Sequence, residues 1–440
     1  MRQKQTFLGS VCRLAIPVAL QAMLQSSFSI IDQIMLGQLG SVSIAAVGLA
    51  GKFTMILNVL LSSVGAVAGI MIAQYLGQKN PGQVRSSFRV NLGICSVVAV
   101  VFTLLCLLLP RQIMGLYTTD AATQATAAAY LRIVSLSFPP LALATLLSAW
   151  YRCMERAQLP MYASIAAAVC NTVLNYILIF GRFGAPSLGA DGAAWATAVS
   201  QWVNALIMLA LLRAPQLRQR SGAGQRFQWP QYAAMLLPML ICELAWSLGE
   251  NVYAGIYGHL GTDPCAAMTL LNPIQGMMTG ALCGLSQAAG VIIGKRLGSQ
   301  EADAAYRESK TLLRYGFIAA IVLSGLIVLL RPLYVQIYQV PDAVKTATMQ
   351  IMLAYAVVAP FKVQNMILGG GILRSGGKTA YVMAVDLIGT WIFGVPLGYL
   401  SAFVLGLPIA WVYFILSLEE VVRYGISLVI FRRKAWMRQL

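Results

Sequence analysis

The sequence predicts an all-α integral membrane protein: twelve transmembrane helices in two six-helix pseudo-symmetric bundles around a central cavity. Three observations lead there. Of 440 residues, 59% are hydrophobic and only 10% are charged, against roughly 25% charged in a soluble domain. The apolar residues fall in long runs rather than short alternating ones. The first half of the chain recurs in the second at a constant offset.

The apolar runs lie near 11–38, 46–76, 88–110, 124–150, 160–182, 189–213, 231–259, 264–294, 311–335, 344–372, 379–404 and 407–431. Each can span a hydrocarbon core of about 30 Å as a helix. Barrel strands would instead alternate inward and outward residues over about ten positions. The basic N-terminus precedes a run too long for a signal peptide, so it reads as the first membrane helix.

Pro17 and Pro238 open the repeat. Leu39-Gly40 matches Leu260-Gly261, and Ala45-Ala46 matches Ala266-Ala267, all at an offset of 221. GIMIAQYLG from Gly69 matches GVIIGKRLG from Gly290 in the same frame, and Pro139 matches Pro360. Arg152 and Arg374 match after a one-residue slip. Six helices per half return the chain to its starting side, so the halves share an orientation about an axis along the membrane normal. The polar, basic stretch APQLRQRSGAGQRFQWP at 214–230 is the expected linker. It separates an N-lobe (1–213) from a C-lobe (231–440).

Net charge is +17, but its placement excludes a nucleic-acid surface. With both termini cytoplasmic, most Lys and Arg fall in cytoplasmic segments, and the outer loops hold only Arg111, Arg182, Arg331 and Lys345. That is the positive-inside pattern of a multi-pass protein in the cell membrane. The eight cysteines are scattered without a CxxC, so no staple or metal site is expected. No HExxH or GxSxG occurs, and an enzyme is not expected. In GGGILRSGGKT, Ile372 stands where a phosphate loop needs glycine. The segment reads as a tight turn between helices 10 and 11. A monomer without cofactor, embedded in the bilayer, is the expected form.

Charges inside the spans carry the functional signal. Asp32 lies in PVALQAMLQSSFSIIDQIMLG, where a carboxylate costs about 3 kcal/mol and so faces a cavity. Gln25 and Ser29 share its helical face at i, i+4, i+7 spacing. In helix 7, Glu243, Ser247 and Glu250 repeat that spacing with Trp246 beside them. Helix 5 carries Asn171 and Asn175 on one face, suited either to a cation site or to helix–helix bonding. Thr197 and Ser200 in helix 6 leave the same two readings open. Asp386 in helix 11 and Lys362 in helix 10 are further buried charges, and Lys362 is expected to pair with Glu243, Glu250 or Asp386. A duplicated membrane half with a buried acid points to a transporter.

These residues resemble the multidrug and toxic compound extrusion family. The proline fifteen residues before Asp32, the N-x-x-x-N pair with its closing I-F-G from Asn171 to Gly181, and GILRSGGKT are similar to that family's motifs in order. The resemblance implies secondary active efflux of organic cations and amphiphilic drugs in exchange for H⁺ or Na⁺. It makes Asp32 the coupling acid, with Asn171, Asn175 and Thr197 around it at a site that would also take Na⁺. The helix 7 acid of the family has its counterpart in Glu243 or Glu250. Gln25, Ser29, Glu243, Trp246, Glu250, Lys362 and Asp386 are the expected substrate-binding residues. The alternative is a flippase for lipid-linked saccharides or another amphiphilic lipid.

Overall fold

The computed structural model describes residues 7–39, 41–212, 227–338 and 340–439. Most of the expected linker lies outside them. Among the described residues every regular element is helical, and eleven helices are long and apolar enough to cross a membrane.

In chain order these are α1 (Phe7–Gly37), α2 (Ser41–Gly77), α3 (Pro81–Leu108), α4 (Ala121–Cys153), α5 (Gln158–Phe180) and α6 (Ala190–Ala210). The second half gives α7 (Trp229–His259), α8 (Thr262–Gly298), α9 (Ala302–Gln336), α10 (Asp342–Leu373) and α11 (Thr379–Val404). The twelfth expected span is helical but broken. Ile409–Ser417 (α12a) and Glu419–Arg432 (α12b) meet at Leu418, and neither piece alone is long enough to cross. The break falls directly before two adjacent carboxylates, Glu419 and Glu420.

Local chemistry explains the ends. Asn80 caps α3 by accepting from the Gln83 amide at 3.2 Å, with Pro81 in the first turn, where its missing N–H costs nothing. α4 passes through a tight turn at Ser135–Ser137 before Pro139 and Pro140 restart it. Pro17 and Pro238 sit inside α1 and α7 at the repeat offset.

The chain forms two compact units. One is Leu20–Ile72 with Asn80–Phe227. Within it α5 packs closely on α6, and α6 on α4. Gly192 of α6 lies against the Leu178 carbonyl of α5, where a Cβ would come within 2.6 Å. Phe88 and the buried Trp150 meet edge to face at 5.1 Å between α3 and α4.

The other unit is Met1–Ala19, Ala73–Lys79 and Gln228–Leu440. Here α7 packs on α11, α9 on α10, and α10 on both pieces of α12. Gln74 is buried and donates to the Ser375 carbonyl at 2.6 Å. Gly369–Gly371 do not form the tight turn expected of them. They continue α10 as π-wound turns, Met366–Leu373, and the turn is confined to the short stretch around Gly377, whose φ is +74°. α11 is π-wound at Ile388–Gly394 and again at Leu400–Val404.

Apolar side chains face outward along the helices. Ile318, Ile321, Val322, Leu326 and Leu329 are exposed along one side of α9, and Val97, Val101, Leu104 and Leu108 along one side of α3. Such stripes would be untenable in water, and hydrocarbon is the solvent that suits them.

Candidate functional site

In the first unit the site grows from Asp32 on α1. Asn175 of α5 donates its amide to Asp32 Oδ1 at 2.8 Å. One turn earlier Asn171 faces the same carboxylate. In one orientation of its amide, Asn171 Oδ1 accepts from Asn175 Nδ2 at 3.2 Å. With the amide turned over, its nitrogen donates to both Asp32 oxygens, at 3.1 and 2.9 Å, and its oxygen accepts from the Thr197 backbone amide at 3.2 Å. The Thr197 hydroxyl itself bonds back to the Ala193 carbonyl at 3.0 Å. The close α5–α6 packing at Gly192 brings these groups together.

A bare Asp32 carboxylate is satisfied with the Asn171 nitrogen facing it. Asn175 Oδ1 is buried without a hydrogen-bond partner, an acceptor that costs free energy unless something satisfies it. Carboxylate and amide oxygens are the hard donors that Na⁺ takes. These groups therefore suit a proton or Na⁺.

Two cavities of the second unit are lined by several charged side chains. One, of about 190 Å³, is lined by Glu250, Glu419, Glu420, Lys362 and four tyrosines. The other, of about 340 Å³, is lined by Glu243, Trp246, Asp386, Arg374 and Arg423 among others. Lys362, Tyr355 and Glu420 line both.

Five of the seven expected substrate-binding residues therefore border these cavities. The other two, Gln25 and Ser29, belong to the first unit; Gln25 is exposed there.

The expected pairing of Lys362 is corrected in part. Glu243 is held by Arg374, Nη1 to Oε1 at 3.4 Å, and Asp386 is held by Arg423. The carboxylates acting on Lys362 are Glu420, Glu250 and Glu419. Arg423 also reaches Glu420 at 3.6 Å, and Asn365 donates to Glu420 Oε2 at 2.8 Å. Cys242 donates to Asp386 Oδ2 at 2.7 Å.

A family model described as MatE matches residues 17–177 and again 238–400. The chain belongs to the multidrug and toxic compound extrusion (MATE) family. The two matches begin at Pro17 and Pro238, the prolines that open the sequence repeat. Among relatives, this MATE protein is 24% identical over 402 residues to the multidrug resistance protein PmpM of Pseudomonas aeruginosa, covering 89% of this chain and 83% of that one. It is 26% identical over 409 residues to a probable multidrug resistance protein NorM of Burkholderia pseudomallei, covering 91% and 87%. A solved structure described as the outward-facing conformation of a multidrug resistance MATE family transporter shares the fold, with a TM-score of 0.89, 18% identity, and 98% and 96% of the two chains covered. This MATE protein is a multi-pass membrane transporter.

Glu419, Glu420 and Arg423 are absent from the residues that sequence reasoning singled out. The signal was present: all three lie inside the apolar run 407–431, and the criterion applied to Asp32 applies equally to them. Tyr130 of α4 is also new. It lies beside Thr197 and within reach of the Asp32 charge.

Proposed function

We propose that the protein is a secondary active exporter that exchanges H⁺ or Na⁺ for organic cations and amphiphilic drugs by alternating access, with both termini cytoplasmic. The observation that carries this reading is Asp32, bonded to Asn175 at 2.8 Å beside the unsatisfied Asn175 Oδ1. An intramembrane acid set among amide oxygens can take a small cation and give it up again. Relatives described as multidrug resistance proteins support drug export over the lipid-linked saccharide reading. The excess of carboxylates over basic side chains lining the two cavities of the second unit supports cationic cargo. Trp246, exposed toward the larger cavity, offers a ring face to such a cation.

The test is efflux of a fluorescent lipophilic cation from vesicles, with pH and Na⁺ gradients imposed separately. Wild type is expected to export under one gradient. Asp32→Asn keeps the shape and the membrane insertion and loses export. Full export by Asp32→Asn at equal expression removes Asp32 from the mechanism.

A further inference from the structure

We propose that the second unit carries its own proton-exchanging acid, Glu419, held against Tyr253 in the cavity it shares with Glu250, Glu420 and Lys362. Its part in a transport cycle rests on the export reading above; its chemistry does not.

Glu419 opens α12b at the helix break and is only 6% exposed. Its Oε2 accepts from the Tyr253 hydroxyl at 2.5 Å. Among the described residues, no cation lies within ion-pair distance of it. Arg423, on the same helix, is committed to Asp386 and Glu420. Lys362 faces three carboxylates with one charge. Across the two cavities, Glu243, Glu250, Asp386, Glu419 and Glu420 stand against Lys362, Arg374 and Arg423. Arg374 pairs with Glu243, and Arg423 with Asp386 and Glu420, which leaves Glu250 and Glu419 without an ion pair among the described residues. Glu250 is exposed, while Glu419 is enclosed. A buried carboxylate without a cation is relieved by binding a proton.

The hydrogen bonding serves both states. The Tyr253 hydroxyl also lies 3.4 Å from the Thr390 carbonyl. With Glu419 ionised, Tyr253 donates to it. With Glu419 protonated, the acid donates to the Tyr253 oxygen and the tyrosine hydrogen turns to Thr390. One hydroxyl rotation therefore leaves every group bonded before and after the proton leaves for the cavity. Gly394 closes the other side. A Cβ there would overlap both Tyr253 Oη and Glu419 Oε2, so only glycine lets the α11 backbone lie on the pair. The π-wound turn ending at Gly394 is a local irregularity of the kind found at functional sites.

The groups facing Glu419 are Glu420 and Arg423 on its own helix, and Tyr253, Tyr257 and Glu250 on α7. α10 supplies Lys362 and Tyr355, α12a supplies Tyr413, and α11 offers the Thr390 carbonyl. Lys362 is the cation that answers the new charge when Glu419 ionises.

Infrared difference titration of purified protein without drug tests this. The titration is run in the Asp32→Asn background, which removes the first unit's acid. There the protein is expected to show a protonated-carboxyl band that disappears as pH is raised, and the variants below are read in the same background. Glu419→Gln lacks that band. Tyr253→Phe keeps it but moves its midpoint up by about one pH unit, because a donor to the ionised form is gone. A band unchanged in Glu419→Gln overturns the assignment. Should Glu419→Gln not fold, a midpoint unmoved in both Glu419→Asp and Tyr253→Phe overturns it as well. No transport enters the titration, so a wild type that exports nothing while the band is present sinks only the export reading.

Discussion

Arg423 shows what a single side chain does in this interior. It binds Asp386 and lies 3.6 Å from Glu420, so one guanidinium answers two buried carboxylates. Removing one partner of a buried ion pair costs about 3–5 kcal/mol, because the other charge is stranded. Arg423→Ala is therefore expected to lower thermal stability in detergent by an amount in that range. Asp386→Ala in the same background should recover part of the loss, since the two residues are coupled. Additive losses in the double mutant would mean the pair is not a unit. These partners were invisible in the sequence for a physical reason. Asp386 and Arg423 are 37 positions apart, and Glu243 and Arg374 are 131 apart. Spacing rules read one helix face at a time. Asn171 and Asn175 were legible because both lie on one face of α5. Their orientation toward Asp32, 143 residues before Asn175, was an inference from resemblance.

Helices here are set by hydropathy and separated by backbone chemistry, and that level reads well from sequence. The run boundaries and the structural helices agree closely through α11. The twelfth is interrupted only at Leu418, whose backbone angles stay helical, and the two carboxylates and the arginine that follow find partners on α7, α10 and α11. Contact between helices is harder to read. α5 and α6 approach so closely at Gly192 that the next heavy atom from a Cβ is the Leu178 carbonyl oxygen, at 2.6 Å. Backbone cannot step aside as a flexible side chain can. Gly192→Ala is expected to push the pair apart and cost about 1–3 kcal/mol, read as a lowered unfolding temperature. Because Thr197 is on α6 and Asn171 on α5, the same substitution should also weaken protection of the Thr197 amide against hydrogen exchange. Loss of stability with an unchanged Thr197 amide would confine the effect to packing.

At the scale of the whole molecule, the number of protons taken per drug decides the driving force. An exporter that binds one H⁺ at Asp32 for each monovalent organic cation moves no net charge. The membrane potential then does nothing, and a one-unit pH gradient supports roughly a 10-fold drug gradient. A second proton at Glu419 changes this. Two H⁺ enter for one cation that leaves, so one net charge crosses. At 100 mV that adds about 2.3 kcal/mol, and the second proton adds about 1.4 kcal/mol per pH unit. The supported gradient rises to several thousand-fold, on the order of 5 kcal/mol in all. The expected outcome is therefore specific. In Na⁺-free proteoliposomes with a potassium diffusion potential, drug export by wild type should steepen with potential. Export by Glu419→Gln should retain its pH dependence and lose its response to potential. Equal responses in the two proteins would leave Glu419 a proton-binding acid outside the transport cycle. No response in either would put the whole exchange on Asp32. The duplicated halves make such a division of labour physically reasonable. The repeat carries the helix scaffold across at an offset of 221, yet Asp32 has no counterpart acid at Tyr253. That tyrosine instead donates to Glu419, so the position of Asp32 in the second half is a hydrogen-bond donor to an acid on the last helix.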